Sequence, residues 1–281
     1  MVASASALVS TEWLAAHLAT PDVKVVDATW YPPTMQRDAK TEYAEAHIPG
    51  AVYFDIDDIA DAASPLPHML PDPVKFSSRV RKLGLGDGTR IVVYDNSRYS
   101  ASARAWWMFR VFGHEDTAVL DGGLAKWRAE GRPVDDRAVV PREAHFTARQ
   151  NSLLVRDLEQ IRANLVSRRE QVLDVRSAGR FAGTEPEPRA GLRSGHIPAS
   201  LNLPYLDLIA PDGTLLSPVE LRRRIAASGV NIDRPIVTSC GSGVTASTAA
   251  LALHQIGAPA VAVYDGSWTE WGGRSDTPIE S

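Results

Sequence analysis

The chain has 281 residues, 44% hydrophobic and 23% charged, a composition that excludes disordered and fibrous classes and favours two domains over one. A formal net charge of -4, with no run of like charge beyond Arg222–Arg224, gives no basis for nucleic acid or an anionic membrane as partner. The apolar stretches are too short to span a bilayer and the start "MVASASALVSTEW" lacks the form of a secretory signal. The single cysteine, Cys240, excludes an intrachain disulfide and a thiolate zinc site, so the expected compartment is the cytoplasm.

In chain order, the Val- and Ile-rich runs at 24–26, 91–94, 171–175, 236–238 and 261–264 read as buried strands. Helical patterns occupy 101–112, 218–227 and 245–256. Strand alternating with helix predicts an α/β fold with mainly parallel sheets flanked by helices. Four landmarks occur twice in the same order, about half the chain apart. "VVDATW" (25–30) is echoed by "VLDVRS" (172–177), and "HIPGAVYFD" (47–55) by "HIPASLNLP" (196–204). "RIVVYDNSRYSASARAWW" (90–107) is echoed by "PIVTSCGSGVTASTAALA" (235–252), and "AVLDGGLAKW" (118–127) by "AVAVYDGSWTEW" (260–271). The chain is therefore a tandem duplication. The polar stretch 132–152 breaks the pattern, which places the first domain at 1–135, a linker at 136–150 and the second domain at 151–281.

Aligned residue by residue, Cys240 falls on Asp95, so only the second half carries a nucleophile at its strand-to-helix junction. The following "GSGVT" contains two glycines that allow unusual torsions and close approach of main chain to ligand. Curled around the sulfur, the N–H groups of Gly241, Gly243, Val244 and Thr245, together with the positive end of the next helix, would stabilise a thiolate or bind substrate. The alternative for a lone cysteine is a small buried hydrophobe. A phosphatase loop would need an arginine at 246, where the residue is Ala246.

These residues, with "RDAKTEYAEAHIPGAVYFDID", "SPLPHMLP", "GRFAGTEPEPR" and "YDGSWTEW", resemble the two-domain rhodanese-like sulfurtransferases over nearly the whole chain. The resemblance implies two tandem rhodanese-like domains, an inactive N-terminal one and a catalytic C-terminal one whose cysteine carries a persulfide. The loop "CGSGVTA" is similar to that of 3-mercaptopyruvate sulfurtransferases, whereas thiosulfate sulfurtransferases of this architecture have basic residues directly after the cysteine. The family's substrate-binding arginines match Arg180 and Arg189, which would grip a carboxylate and keto group; the alternative for either is a surface ion pair with Glu185 or Glu187. Ser242 either relays a proton or holds the turn. His47 is implied as the base partner with Asp38, preferred over Asp55, behind it, yet His196 occupies the equivalent place in the second half, so a shared structural duty is equally open. The tryptophan pairs Trp106–Trp107 and Trp268–Trp271 are assigned to packing.

The resulting expectation is transfer of sulfane sulfur from 3-mercaptopyruvate, through a Cys240 persulfide, to cyanide or to a small or protein thiol such as thioredoxin, with no metal or organic cofactor required by any motif. The rivals are a thiosulfate:cyanide sulfurtransferase on the same scaffold and a non-enzymatic sulfur carrier or redox sensor.

Overall fold

The computed structural model of the chain describes residues 6–98 and 100–281. The described residues form two compact units. One comprises the chain through Ala62 with Pro71–Asn151 and Pro211–Leu215; the other comprises Ala63–Leu70, Ser152–Ala210 and Leu216–Ser281. Each half of the chain thus contributes a short arm to the unit built mainly by the other half.

The first unit contains β1 (Leu8–Val9), β2 (Val23–Asp27), β3 (Val52–Tyr53), β4 (Arg90–Tyr94) and β5 (Thr117–Leu120) in the spatial order β1-β5-β4-β2-β3. The second contains β6 (Val155–Arg156), β7 (Gln171–Asp174), β8 (Leu201–Asn202), β9 (Ile236–Ser239) and β10 (Val261–Tyr264) in the order β6-β10-β9-β7-β8. Every pairing is parallel. Parallel strands covered by helices on both faces must be apolar on both, which is why the central strands lack an alternating pattern: Ile91 to Tyr94 are all buried. Both halves have the α/β fold expected from their patterning.

Helix starts follow local chemistry. Ser217 accepts from the Glu220 N–H ahead of Pro218–Ala227, and Asp157 and Gln160 form a reciprocal capping box on Leu158–Ser167. The stretch 136–150 has no helix or strand and lies within the first unit. Phe146 packs against Phe76 and Phe109, and the His145 carbonyl accepts from Asp87 N. No helix among the described residues is long and apolar enough to cross a membrane.

The strand order positions the site. In the second unit the chain leaves β7 toward β8 on one side and β9 toward β10 on the other, so the carboxyl ends of β7 and β9 flank a topological switch point. Asp174 ends β7 and Cys240 directly follows β9.

Candidate active site

Cys240 is a free thiol, 2% exposed, at the start of the loop that joins β9 to the helix Ala246–Gln255. Four hydrogen bonds fix its backbone and that of Gly241. Its N–H donates to Ser267 Oγ (3.1 Å), and its carbonyl accepts from Trp268 N (3.0 Å). The Gly241 carbonyl accepts from both Thr269 N (2.8 Å) and Thr269 Oγ1 (2.6 Å). Ser267 in turn donates to the Tyr264 carbonyl. The segment after β10 therefore clamps the first two residues of the loop. Ser242, Gly243 and Val244 are buried, whereas Gly241 and Thr245 lie at the rim. Gly243 has φ +78, a conformation that glycine adopts without cost.

The first half shows what this loop is built to hold. Arg98, equivalent to Gly243, is also left-handed at φ 56. There Asp95 stands where the cysteine stands in the second half, and its carboxylate accepts from the N–H groups of Ser97 (2.9 Å), Ala101 (3.1 Å) and Ser102 (2.7 Å). Loop and helix start thus form an anion cradle, filled in the first half by the chain's own carboxylate; the matching positions in the second half are Ser242, Ala246 and Ser247.

Two guanidinium groups converge on the loop at Gly241. A Cβ built on Gly241 would stand 3.3 Å from Arg180 Nη2 and 3.9 Å from Arg189 Nη1. A side chain at 241 would crowd the two guanidinium groups, so glycine serves space here rather than torsion. Arg180 follows the helix start capped by Ser177 and donates from Nε (3.2 Å) and Nη2 (2.5 Å) to Glu187. Among the described residues Arg189 makes no ion pair. The ion pair weighed for Arg180 therefore exists, but it is internal: the Glu187 side chain is 2% exposed and Arg180's is 23%.

Behind them lies a residue that the sequence did not point out. Arg176, with a fully buried side chain, donates to Asp174 from Nε and Nη2, to Glu187 from Nη1 (2.7 Å) and to the Gly195 carbonyl, and its guanidinium lies 4.2 Å from the Trp268 ring centroid. Burial alone would lower its pKa; the carboxylates of Asp174 and Glu187 more than offset that and hold it above the ordinary arginine range. Trp268 and Trp271 are core residues, as are Trp106 and Trp107, and Trp268 also forms the platform under Arg176.

His47 and Asp38 belong to the first unit. His47 Nδ1 bonds the Tyr43 carbonyl (2.7 Å), the ring stacks on Tyr43, and the backbone bridges to Asp135. His196 repeats each of these tasks with the Phe181 carbonyl, the Phe181 ring and Glu280. Asp38 caps the helix Ala39–Glu45 through Lys40 N, Thr41 N and Thr41 Oγ1, and Asp55 caps Ile56–Ile59. None of these bonds joins Asp38 to His47. Of the imidazoles in the same unit as Cys240, His196 is engaged as just described, His254 lies in the last turn of the helix Ala246–Gln255, and His68 is carried on the arm Ala63–Leu70, 8% exposed and left-handed at φ 62. That arm is tied down where Leu70 N donates to Asp265 Oδ2 (2.8 Å), directly after β10. The sequence signal for His68 was only its segment, "SPLPHMLP", since nothing local tells that an arm joins the other unit. No group of three or more metal-ligating side chains gathers among the described residues.

The rhodanese-like domain family matches residues 10–130 and 157–274, one copy in each half. The chain belongs to this family. Human 3-mercaptopyruvate sulfurtransferase is 45% identical over 272 residues, covering 94% of this chain and 91% of that protein. Bovine thiosulfate sulfurtransferase is equally similar, 45% over 272 residues with the same coverage. Among solved structures, SseA from Escherichia coli, described as showing the rhodanese fold of 3-mercaptopyruvate sulfotransferases, superimposes with a TM-score of 0.86 at 39% identity, over 94% of this chain and 99% of that one. Whole-chain identity to the two kinds of rhodanese-like relative does not differ, so the choice of donor rests on the chemistry around the thiol.

Proposed function

We propose that the protein is a sulfurtransferase that takes sulfur from 3-mercaptopyruvate on Cys240 and passes it to a thiol or to cyanide, releasing pyruvate. The observation that carries this reading is the pair of guanidinium groups beside Gly241 next to a loop that itself has no charged side chain. Thiosulfate is a dianion whose charge lies on the transferred sulfur and on oxygens two bonds from it, and asks for cations directly at the nucleophile. Mercaptopyruvate carries one carboxylate several atoms away, which suits Arg180 and Arg189 set back from the sulfur.

In the first half-reaction the Cys240 thiolate attacks the donor sulfur. The S–S bond forms, the C–S bond breaks, and its electron pair passes to the pyruvate enolate, which takes up a proton to become pyruvate. Cys240 is left as a persulfide. In the second half-reaction an acceptor thiolate attacks the outer sulfur and leaves as a persulfide, or cyanide leaves as thiocyanate, and the Cys240 thiolate returns. Held in the backbone cradle, the sulfur anion is stabilised at both stages. Gly241, Gly243, Val244 and Thr245 shape the loop and line the substrate in our reading, the equivalents of the N–H groups that hold Asp95 begin at Ser242, and Ser242 stands beside the sulfur as proton relay. For proton supply His68 takes precedence over His47, because it belongs to the same compact unit as the thiol and His47 is engaged in the task that His196 duplicates. Thioredoxin or a small thiol as acceptor, and a cytoplasmic setting, remain part of the same reading.

Mass spectrometry after incubation with 3-mercaptopyruvate tests it: wild type gains one sulfur atom and Cys240→Ser gains none. Steady-state rates with both donors test the choice of substrate, and a preference for thiosulfate overturns it.

A further inference from the structure

The charges around the thiol loop come out nearly even. With the sulfur left to its backbone cradle, three guanidinium groups, Arg176, Arg180 and Arg189, face two carboxylates, Asp174 and Glu187, so this network offers the donor one positive charge not matched by a side-chain carboxylate. The two carboxylates have different histories. Asp174 has a counterpart in the first half, Asp27, also buried at the end of its strand, where Thr29 stands in place of Arg176. Glu187 comes from the loop between β7 and β8, and both of its oxygens are used by arginines: Oε1 accepts from Arg176 Nη1 and Arg180 Nε, and Oε2 from Arg180 Nη2, the nitrogen that lies against Gly241. Half of the cation beside the nucleophile is thereby neutralised from behind.

We infer that Glu187 is a specificity-determining residue: by cancelling charge on Arg180 it leaves the site matched to a monoanionic donor and mismatched to a dianionic one. This rests on the donor reading above and deepens it. With the carboxylate gone, Asp174 still balances Arg176, and Arg180 joins Arg189 as a second free cation within reach of the loop. A dianion gains from that second charge about twice what a monoanion gains, and at partly buried separations one unit charge changes an affinity by tenfold or more.

The test compares kcat/KM for thiosulfate and for 3-mercaptopyruvate in wild type and Glu187→Gln. The expected result is a rise of at least about tenfold in the thiosulfate-to-mercaptopyruvate ratio, whatever happens to either rate alone. A ratio unchanged, or both rates falling in parallel, overturns the inference and leaves Glu187 as a packing residue. Should the variant fail to fold, wild type answers through product-like inhibitors of similar shape. Methanesulfonate, a monoanion, should inhibit more strongly than sulfate, a dianion; inhibition by sulfate as strong or stronger refutes the charge count. If wild type itself prefers thiosulfate, the donor reading fails, while the effect of Glu187 is still read from the change in ratio.

Discussion

Ser267 holds a left-handed backbone, φ 49, at the position where the first half has Gly123, φ 56. The serine keeps that strain and gains an acceptor for the buried Cys240 N–H. Ser267→Ala retains the strained Cβ and orphans the N–H, a loss of about 1–3 kcal/mol. Ser267→Gly orphans it too but relieves about 1 kcal/mol of torsional strain. The glycine variant should therefore unfold at a higher urea midpoint than the alanine variant, with sulfur transfer impaired in both. Asp27 and Asp174, equivalent in the two halves, should respond oppositely to the same change. Burial raises the Asp27 pKa above 3.8, so its contribution to stability is full below that value and is lost as pH rises through its folded value. At neutral pH Asp27→Asn should raise the melting temperature, with the gap closing below about pH 4. Asp174→Asn instead leaves Arg176 half-compensated in the interior and should cost about 3–5 kcal/mol by denaturant titration. Arg189, without an ion pair among the described residues, can be removed with little effect on stability; Arg189→Ala should raise KM for 3-mercaptopyruvate at least about tenfold in steady-state assays.

Central strands and long helices were legible in the chain because burial on both faces writes itself as runs of Val and Ile. The expected strand 261–264 is β10, and the helices at 101–112 and 245–256 are found as Ser100–Val111 and Ala246–Gln255. The two-residue strands β1, β3, β6 and β8 left no such mark, being too short to carry a period. Cys240 and the arginines could be picked out by their chemistry and by resemblance. Arg176, Glu187 and Ser267 could not, since their roles arise from folding 176–189 back on itself and from a torsion. The arms are the other silent feature. Leu70 N–H reaches Asp265 and Leu215 N–H reaches Asp121, the same bond made once in each unit by residues far apart in sequence. Asp265→Ala should open the arm Ala63–Leu70 to limited proteolysis, and Asp121→Ala the arm Pro211–Leu215, each cleavage mapped by peptide mass.

Each unit of this duplicated chain draws a piece from the opposite half. A fragment limited to 151–281 lacks Ala63–Leu70 and should melt well below the full chain in calorimetry. The Asp95 loop carries a different consequence. A repeated fold ordinarily doubles the number of seats for an inhibitor, but here the first seat is permanently occupied by a covalently attached carboxylate. Small oxyanions that foul the thiol loop should therefore saturate at a stoichiometry of one per chain, so that occupancy measured by any bulk method reports on the working half alone.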